Sequence, residues 1–578
     1  MVEWSIIAKH GLAFFSVWAC AVATGWSLLP LARVGIGLAG APLLGIIYWT
    51  LALYLLPFCG GLDVAAIVIL LLGAFHLIHG RRKHGRTPVG RRFSSSALIL
   101  ALGSLPYATT VLFHYVPFGM DASMHTTAAA LIARIGGLPT NYAPIAPEVT
   151  FPAINLGLST VAAVAIRWGS EPAAAMLACQ HLTFTSLILA TYLLLRWWIS
   201  RPSAAVLSVA SVWLARASQA SLGWGGFPTV MSVAIGVLAV RLLLQHSRRT
   251  SPRQSLTTGA AIAAIPLIHG VGGGTWIYCA GIWTVLATIA DARSRFETLR
   301  GLALAGLCAG VFLVIYRMSG SLDVQQREMD LTRAFVQVNA PRESGWRAWL
   351  SAMAYVRKDS GTLIVLAGWL ACGVLALIQQ WRSSLLLTAA WLALATVVAN
   401  ARWYSLPGSF LLYPDRAIYW SAPLSAVALS LCWRNLSPML QLTSRPKIAA
   451  LFLLLASGYF HNQFYQKIVR EEFMDRDAYE ALVWARDHLQ PDKHFVNAPY
   501  NTPGSFLPAV AQIGCTGSHN HHFLVQQIHE AHVRRTCTHC FLCNETQNEA
   551  SALGGKIVFH NGRITIVELK GCSAAGSP

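Results

Sequence analysis

Charge is scarce in this 578-residue chain. Asp, Glu, Lys and Arg make up 12% of it, about half the share of a soluble globular protein. With 55% hydrophobic residues and a mean hydropathy of +0.51, that deficit excludes a disordered chain, a coiled coil, a collagen and an ordinary cytosolic enzyme. Negative charge is scarcer still: 24 Asp and Glu stand against 43 Lys and Arg, a net charge of +19. Such an excess suits a nucleic-acid binder, yet no basic domain exists. From Gln463 onward the chain has 10 Lys and Arg against 11 Asp and Glu, so the excess lies upstream, in short clusters between apolar runs. That is the pattern of cytoplasmic loops in a membrane protein, and no nucleic-acid partner is expected. An internal repeat is also missing, whereas transporters are often built from two repeated halves.

What is present is a series of apolar stretches, each long enough to cross a bilayer at about 17 to 25 residues. They recur about fourteen times between residues 11 and 464. The first contains Ala21-Val22-Ala23, a pattern a signal peptidase cuts, but the apolar run continues past it and reads as an uncleaved span. The basic run Arg81-Arg82-Lys83 through Arg91-Arg92 fixes the cytoplasmic side. Arg196, Arg201, Arg248, Arg249, Arg293 and Arg382 then fall on that same side only if the apolar segment 151–168 does not cross. It is therefore assigned as an interfacial or re-entrant helix of the outer surface. The expected architecture is mainly α. Residues 1–464 form a polytopic transmembrane helix bundle of about 14 spans, with outer loops at 116–172 and 318–360, and residues 465–578 form a small extracytoplasmic α/β domain. The location expected is the plasma (inner) membrane, with membrane lipids as surroundings.

Two outer-loop residues, Asp121 and His125, are spaced i, i+4 and share a helix face where the chain leaves the bilayer. The carboxylate could act as a general base with the imidazole as orienter. Equally open are a helix N-cap for Asp121 and an interfacial polar role for His125. The soluble tail has helical spacing over 475–490 and strand patterning over 556–569 around Asn561-Gly562, a hairpin signature.

The order of these elements resembles the first outer loop of polytopic GT-C glycosyltransferases, which use polyprenyl-phosphate sugars. The resemblance covers Asp121 with His125, then Gly137-Leu138-Pro139, the turn around Tyr142 and Pro144, and a following helix. Gly223-Trp224-Gly225-Gly226-Phe227-Pro228, Ile268-His269-Gly270, Tyr413-Pro414-Asp415-Arg416 and the tail motif Ala481-Leu482-Val483-Trp484 extend it over most of residues 95–570. It implies a membrane glycosyltransferase that moves a sugar from a polyprenyl-phosphate donor to a glycan, lipid or protein acceptor at the outer face. Asp121 would be the base, with Arg416 or Arg134 on the donor phosphate, because a guanidinium is always charged and binds phosphate oxygens in pairs. Trp224, His269, Tyr142, His521 and His522 would line the cavity. The chain lacks the paired acidic residues and His-Pro-Pro signature of the protein-mannosylating members. It also lacks an acidic-x-acidic metal motif within 116–172, so a metal-independent reaction without cofactor is favoured.

Cys537, Cys540 and Cys543 in the tail admit three readings: packed or free thiols, disulfides, or a soft-metal site. Two competing functions carry different signatures. A lipid or polysaccharide transporter predicts charges buried at the bilayer midplane. An envelope-assembly protein makes Asp121 a mere cap.

Overall fold

The computed structural model describes residues 4–32, 36–59, 61–83, 95–151, 155–318, 346–403, 412, 414–439, 453–463, 474–490, 493–496, 506–515, 538–543 and 555–569. Its axis is formed by the helices Pro172–Leu195 and Phe227–His246. Both are apolar on every face and almost wholly enclosed by protein, as an all-round apolar helix must be. Trp4–Ala32 and Ala41–Cys59 pair closely beside them, and Ser95–Phe113, Gly157–Arg167 and Pro252–Ile268 complete the packing. The outermost helices face the other way. Arg295–Met318 turns Leu307 and Val314 outward, and Thr362–Leu377 leaves Leu377 84% exposed, surfaces suited to lipid.

Among the described residues six helices are long and apolar enough to cross a membrane: Ile6–Ala32, Pro172–Leu195, Phe227–His246, Gly270–Ala290, Arg295–Ile315 and Trp381–Ala399. A seventh candidate is the pair Trp346–Ser360 and Thr362–Leu377, bent by 119° at Gly361. The remaining apolar stretches are shorter or broken. The stretch expected over 203–220 is two helices, Arg201–Leu214 and Arg216–Trp224, interrupted at Ala215. The bundle is thus polytopic, but its long spans are fewer than the fourteen apolar stretches.

Segment 151–168 departs from its expected position. It forms the helix Gly157–Arg167, which at 11 residues is too short to span, yet it does not lie on a surface. Residues 157–165 are all buried, packed against Ala41–Cys59, Met120–Ile135 and Pro172–Leu195. Its small residues, Gly157, Ser159, Thr160, Ala162, Ala163 and Ala165, let three helices close around it.

The tail holds a five-stranded sheet in the order β4-β3-β5-β7-β6, made of β3 (His494–Val496), β4 (Gly514–Cys515), β5 (His539–Cys543), β6 (Lys556–His560) and β7 (Ile564–Glu568). A short pair, β1 (Asn141–Tyr142) and β2 (Ala146–Thr150), lies between the helices Met120–Ile135 and Gly157–Arg167. β6 and β7 are joined at Asn561-Gly562, where Gly562 has a φ of 71°. The helix Arg476–His488 packs on this sheet, capped by Asp475, whose carboxylate accepts from the Ala478 amide at 2.9 Å.

One carboxylate fastens the tail to the bundle. Glu171 accepts from Lys9 Nζ at 2.9 Å and from the Tyr479 hydroxyl at 3.1 Å, with Arg486 at 3.9 Å. Burial pushes its carboxyl up, but Lys9, Tyr479 and Arg486 together hold it below the usual carboxylate range. Burial and the Glu171 charge raise the Tyr479 phenol, so it stays protonated as a donor. Close by, Tyr479 packs on Tyr115 at 5.2 Å, and the short helix Leu507–Val510 lies on Met120–Ile135.

Candidate active site

The helix Met120–Ile135 begins immediately after Gly119, which is its N-cap at a φ of 85°. Asp121 therefore stands in the first turn and is not the cap. A carboxylate there still gains about 0.3–1 kcal/mol from the exposed amide dipoles. The segment Gly223 to Pro228 supplies the facing wall. Arg216–Trp224 stops at Gly225, in the left-handed region at a φ of 88°, with the Gly225 and Gly226 amides donating to Ser221 O at 3.0 and 2.8 Å. Pro228 then starts Phe227–His246 in its first turn, where no amide donor is needed.

These two turns meet backbone to backbone. A Cβ on Gly119 would fall 2.0 Å from the Gly225 nitrogen, and one on Gly225 would fall 2.6 Å from the Ala122 nitrogen and 3.1 Å from Asp121 Cβ. Only glycine fits at either place, since both the conformation and the space forbid a side chain. The approach sets the first turn that carries Asp121 against the Gly225 turn that follows Trp224. Over that ring lies Arg416, its guanidinium carbon 3.7 Å from the centroid, at the start of the short helix Pro414–Ala417. Such stacking engages the flat face of a guanidinium, whose N–H donors lie in its plane.

One turn below Asp121, His125 is buried at 4% exposure, its ring 5.4 Å from Phe227 and its carbonyl accepting from Ser159 Oγ. His269 occupies the break between Pro252–Ile268 and Gly270–Trp276, in extended conformation. Asn155 props that break open, accepting from the Gly270 amide at 2.7 Å. From there His269 lies within electrostatic reach of both Arg416 and His125. A carboxylate, two imidazoles, a guanidinium and an indole thus gather from segments that are distant in sequence. The set can accept a proton, hold an anion and present a flat apolar face.

Not every candidate joins them. Arg134 is exposed at the other end of the Asp121 helix, thirteen residues away or about 20 Å, beside Arg167. Tyr142 is buried in β1 against Phe151 at 5.0 Å and lines no common space with Asp121. His521, His522 and Cys537 lie outside the described residues. Cys540 is a buried free thiol in β5, as is Cys515 in the adjoining part of the sheet, and Cys543 ends β5 opposite Ile564. Among the described residues no three His, Cys, Asp or Glu side chains gather in a metal-binding group. Sequence reasoning missed Asn155 and Gly119. The first carries no motif, and the second is meaningful only once Gly225 is opposite it.

The class defined by these features is a polytopic membrane protein with its polar chemistry collected at one end of the bundle. No family model matches the sequence, and no curated protein matches it. Among solved structures, ArnT from Cupriavidus metallidurans in the apo state is similar with a TM-score of 0.53 and 13% identity, covering 83% of this chain and 98% of that one. The structure of ArnT from Cupriavidus metallidurans bound to undecaprenyl phosphate is similar at a TM-score of 0.53 and 11% identity, over 83% of this chain and 99% of that one. The apo oligosaccharyltransferase of Archaeoglobus fulgidus is similar at a TM-score of 0.46 and 14% identity, over 79% of this chain and 70% of that one. The likeness is one of fold, and the chain has the fold of the GT-C glycosyltransferases.

Proposed function

We propose that the protein is a membrane glycosyltransferase that moves a sugar from a polyprenyl-phosphate donor to an acceptor hydroxyl or amide at the outer face of the membrane. The observation that carries this reading is the close approach of the Asp121 turn to the Gly225 turn, next to Trp224 with Arg416 stacked on it, at one end of a GT-C fold. ArnT, which shares that fold, is seen with undecaprenyl phosphate, and this supports a lipid phosphate as the donor's carrier. In the reaction Asp121 takes the proton of the acceptor as it attacks the anomeric carbon. The bond from that carbon to the phosphate oxygen breaks, and the polyprenyl phosphate leaves with the electron pair. Being already anionic, it needs counter-charge rather than a proton, and Arg416 supplies it through its guanidinium. His125 and His269 hold the polar wall around the reacting groups. Trp224 positions Arg416 and offers the sugar ring a flat apolar face.

Assay of the purified protein with a synthetic polyprenyl-phosphate sugar and candidate acceptors tests this reading. Asp121→Asn should lose roughly 10²-fold to 10⁴-fold in turnover while remaining folded and inserted. Full turnover in that variant would remove Asp121 as the base.

A further inference from the structure

The end of the bundle opposite Asp121 holds a second arginine–tryptophan assembly, which sugar transfer leaves unused. The guanidinium carbons of Arg248 and Arg241 stand 3.8 and 4.3 Å from the centroid of Trp197, and Arg196 lies within electrostatic reach of Arg241. Arg241 is only 9% exposed, and its side-chain hydrogen bond, to Gln245, is long at 3.4 Å. Among the described residues none of these three arginines is in an ion pair. Three like charges converging on a buried position without a carboxylate are costly unless an anion joins them.

The neighbouring space says what kind of anion. A cavity of about 190 Å³ opens beside the cluster, walled by Trp197, Trp198, Val240, Leu244, Trp283 and Leu431. Apart from its rim it is apolar. Asp291, at that rim, is already engaged by Arg382 at 2.9 Å and offers the cluster nothing. A small hydrated anion has no use for such a wall, whereas a lipid chain does.

The geometry points to a binding site for an anionic glycerophospholipid at this end, with its phosphate among Arg196, Arg241 and Arg248 and an acyl chain laid along the Trp197–Trp283 wall. Stacking on Trp197 leaves the guanidinium edges of Arg241 and Arg248 for phosphate oxygens. The basic loops assign this end to the cytoplasm, whose leaflet is the anionic one. A snorkelling anchor would keep its charge in water, and the burial of Arg241 separates the two cases. The site is independent of the transfer chemistry.

Native mass spectrometry of the full chain in detergent, offered equal amounts of phosphatidylglycerol and phosphatidylcholine, tests it. Retention of phosphatidylglycerol should exceed that of phosphatidylcholine by roughly thirtyfold or more, two to three arginines each contributing about 1 kcal/mol at about 1.4 kcal/mol per tenfold. The Arg196→Gln/Arg248→Gln double variant changes two exposed side chains and should bring the preference close to unity. Equal retention of both lipids by the unaltered protein, or an undiminished preference in the double variant, would overturn the site. Displacement of phosphatidylglycerol by inorganic phosphate at matched concentration would overturn the lipid and leave a phosphate site.

Discussion

Each end of the bundle seats an arginine on a tryptophan, at nearly the same distance: Arg416 on Trp224 at 3.7 Å and Arg248 on Trp197 at 3.8 Å. The surroundings differ. At the Asp121 end the stack is held near Asp121 and two histidines by glycine turns that admit no side chain. At the other end further arginines crowd the ring and the space next to it is apolar. On the two readings proposed above, the same pair of residues serves two kinds of anion recognition. One is set in a rigid polar corner, where charge moves during a reaction, and the other is set against a greasy wall, where charge only has to be held.

This contrast can be broken by substitution. The largest effect is the 10²-fold to 10⁴-fold loss of turnover in Asp121→Asn given above. Next is Gly225→Ala. The added Cβ meets the Ala122 amide at 2.6 Å and the φ of 88° is strained for alanine, so the approach must open by a few tenths of an ångström or more. A cost of about 1–3 kcal/mol is expected, together with a fall in turnover of about tenfold or more as Asp121 and Trp224 separate. Thermal unfolding and the sugar-transfer assay measure both, and a variant with unaltered turnover would show that the close approach is packing alone.

Arg416→Lys keeps the charge but loses the planar fork. Turnover should fall by about tenfold, more than donor affinity does, because the leaving phosphate gathers charge at the transition state. The equivalent Arg248→Lys change should reduce phosphatidylglycerol retention only about two- to threefold, because a held phosphate accepts a point charge. Equal losses at the two ends would erase the distinction between them.

The smallest effect concerns Glu171. Its carboxyl is held below its ordinary value in the folded protein, so its contribution to docking the tail is fully present above that ordinary value, about 4.5, and is lost as pH falls through the lower folded value. Limited proteolysis of the tail should accelerate on acidification in that window. Glu171→Gln should be more susceptible at neutral pH and much less sensitive to acid. Identical pH profiles for the two proteins would mean that Glu171 does not hold the tail.

Local features were legible in the sequence. The i, i+4 spacing of Asp121 and His125 does set both on the first turns of one helix, and Asn561-Gly562 does join two strands. Arg416 stood out because a charge at a span edge demands a partner. Span number was less legible: apolar composition runs up to the break at Ala215, where the backbone leaves the helix without a glycine or proline to mark it. The helix Gly157–Arg167 shows the same limit, since the basic loops argued against its crossing but only its neighbours reveal that protein covers it. Arg134 stands away from Asp121 because a helix separates its two ends by distance, which a motif read as a string does not register. The Gly119–Gly225 contact joins residues over a hundred positions apart and leaves no periodicity to detect.

The Tyr479–Glu171 bond closes a loop of 308 residues, and this bears on the order in which the protein is assembled. The helices bearing Asp121 and Trp224 emerge early in synthesis and can enter the membrane and pair while the tail is still being made. Leu507–Val510 reaches the Met120–Ile135 helix only near the end of translation, when Gln512 comes beside Ala130, Ala133 and Arg134. Until then the end of that helix remote from Asp121 lacks a neighbour it has in the folded protein, and completion of the tail is the moment at which bundle and tail are fastened together.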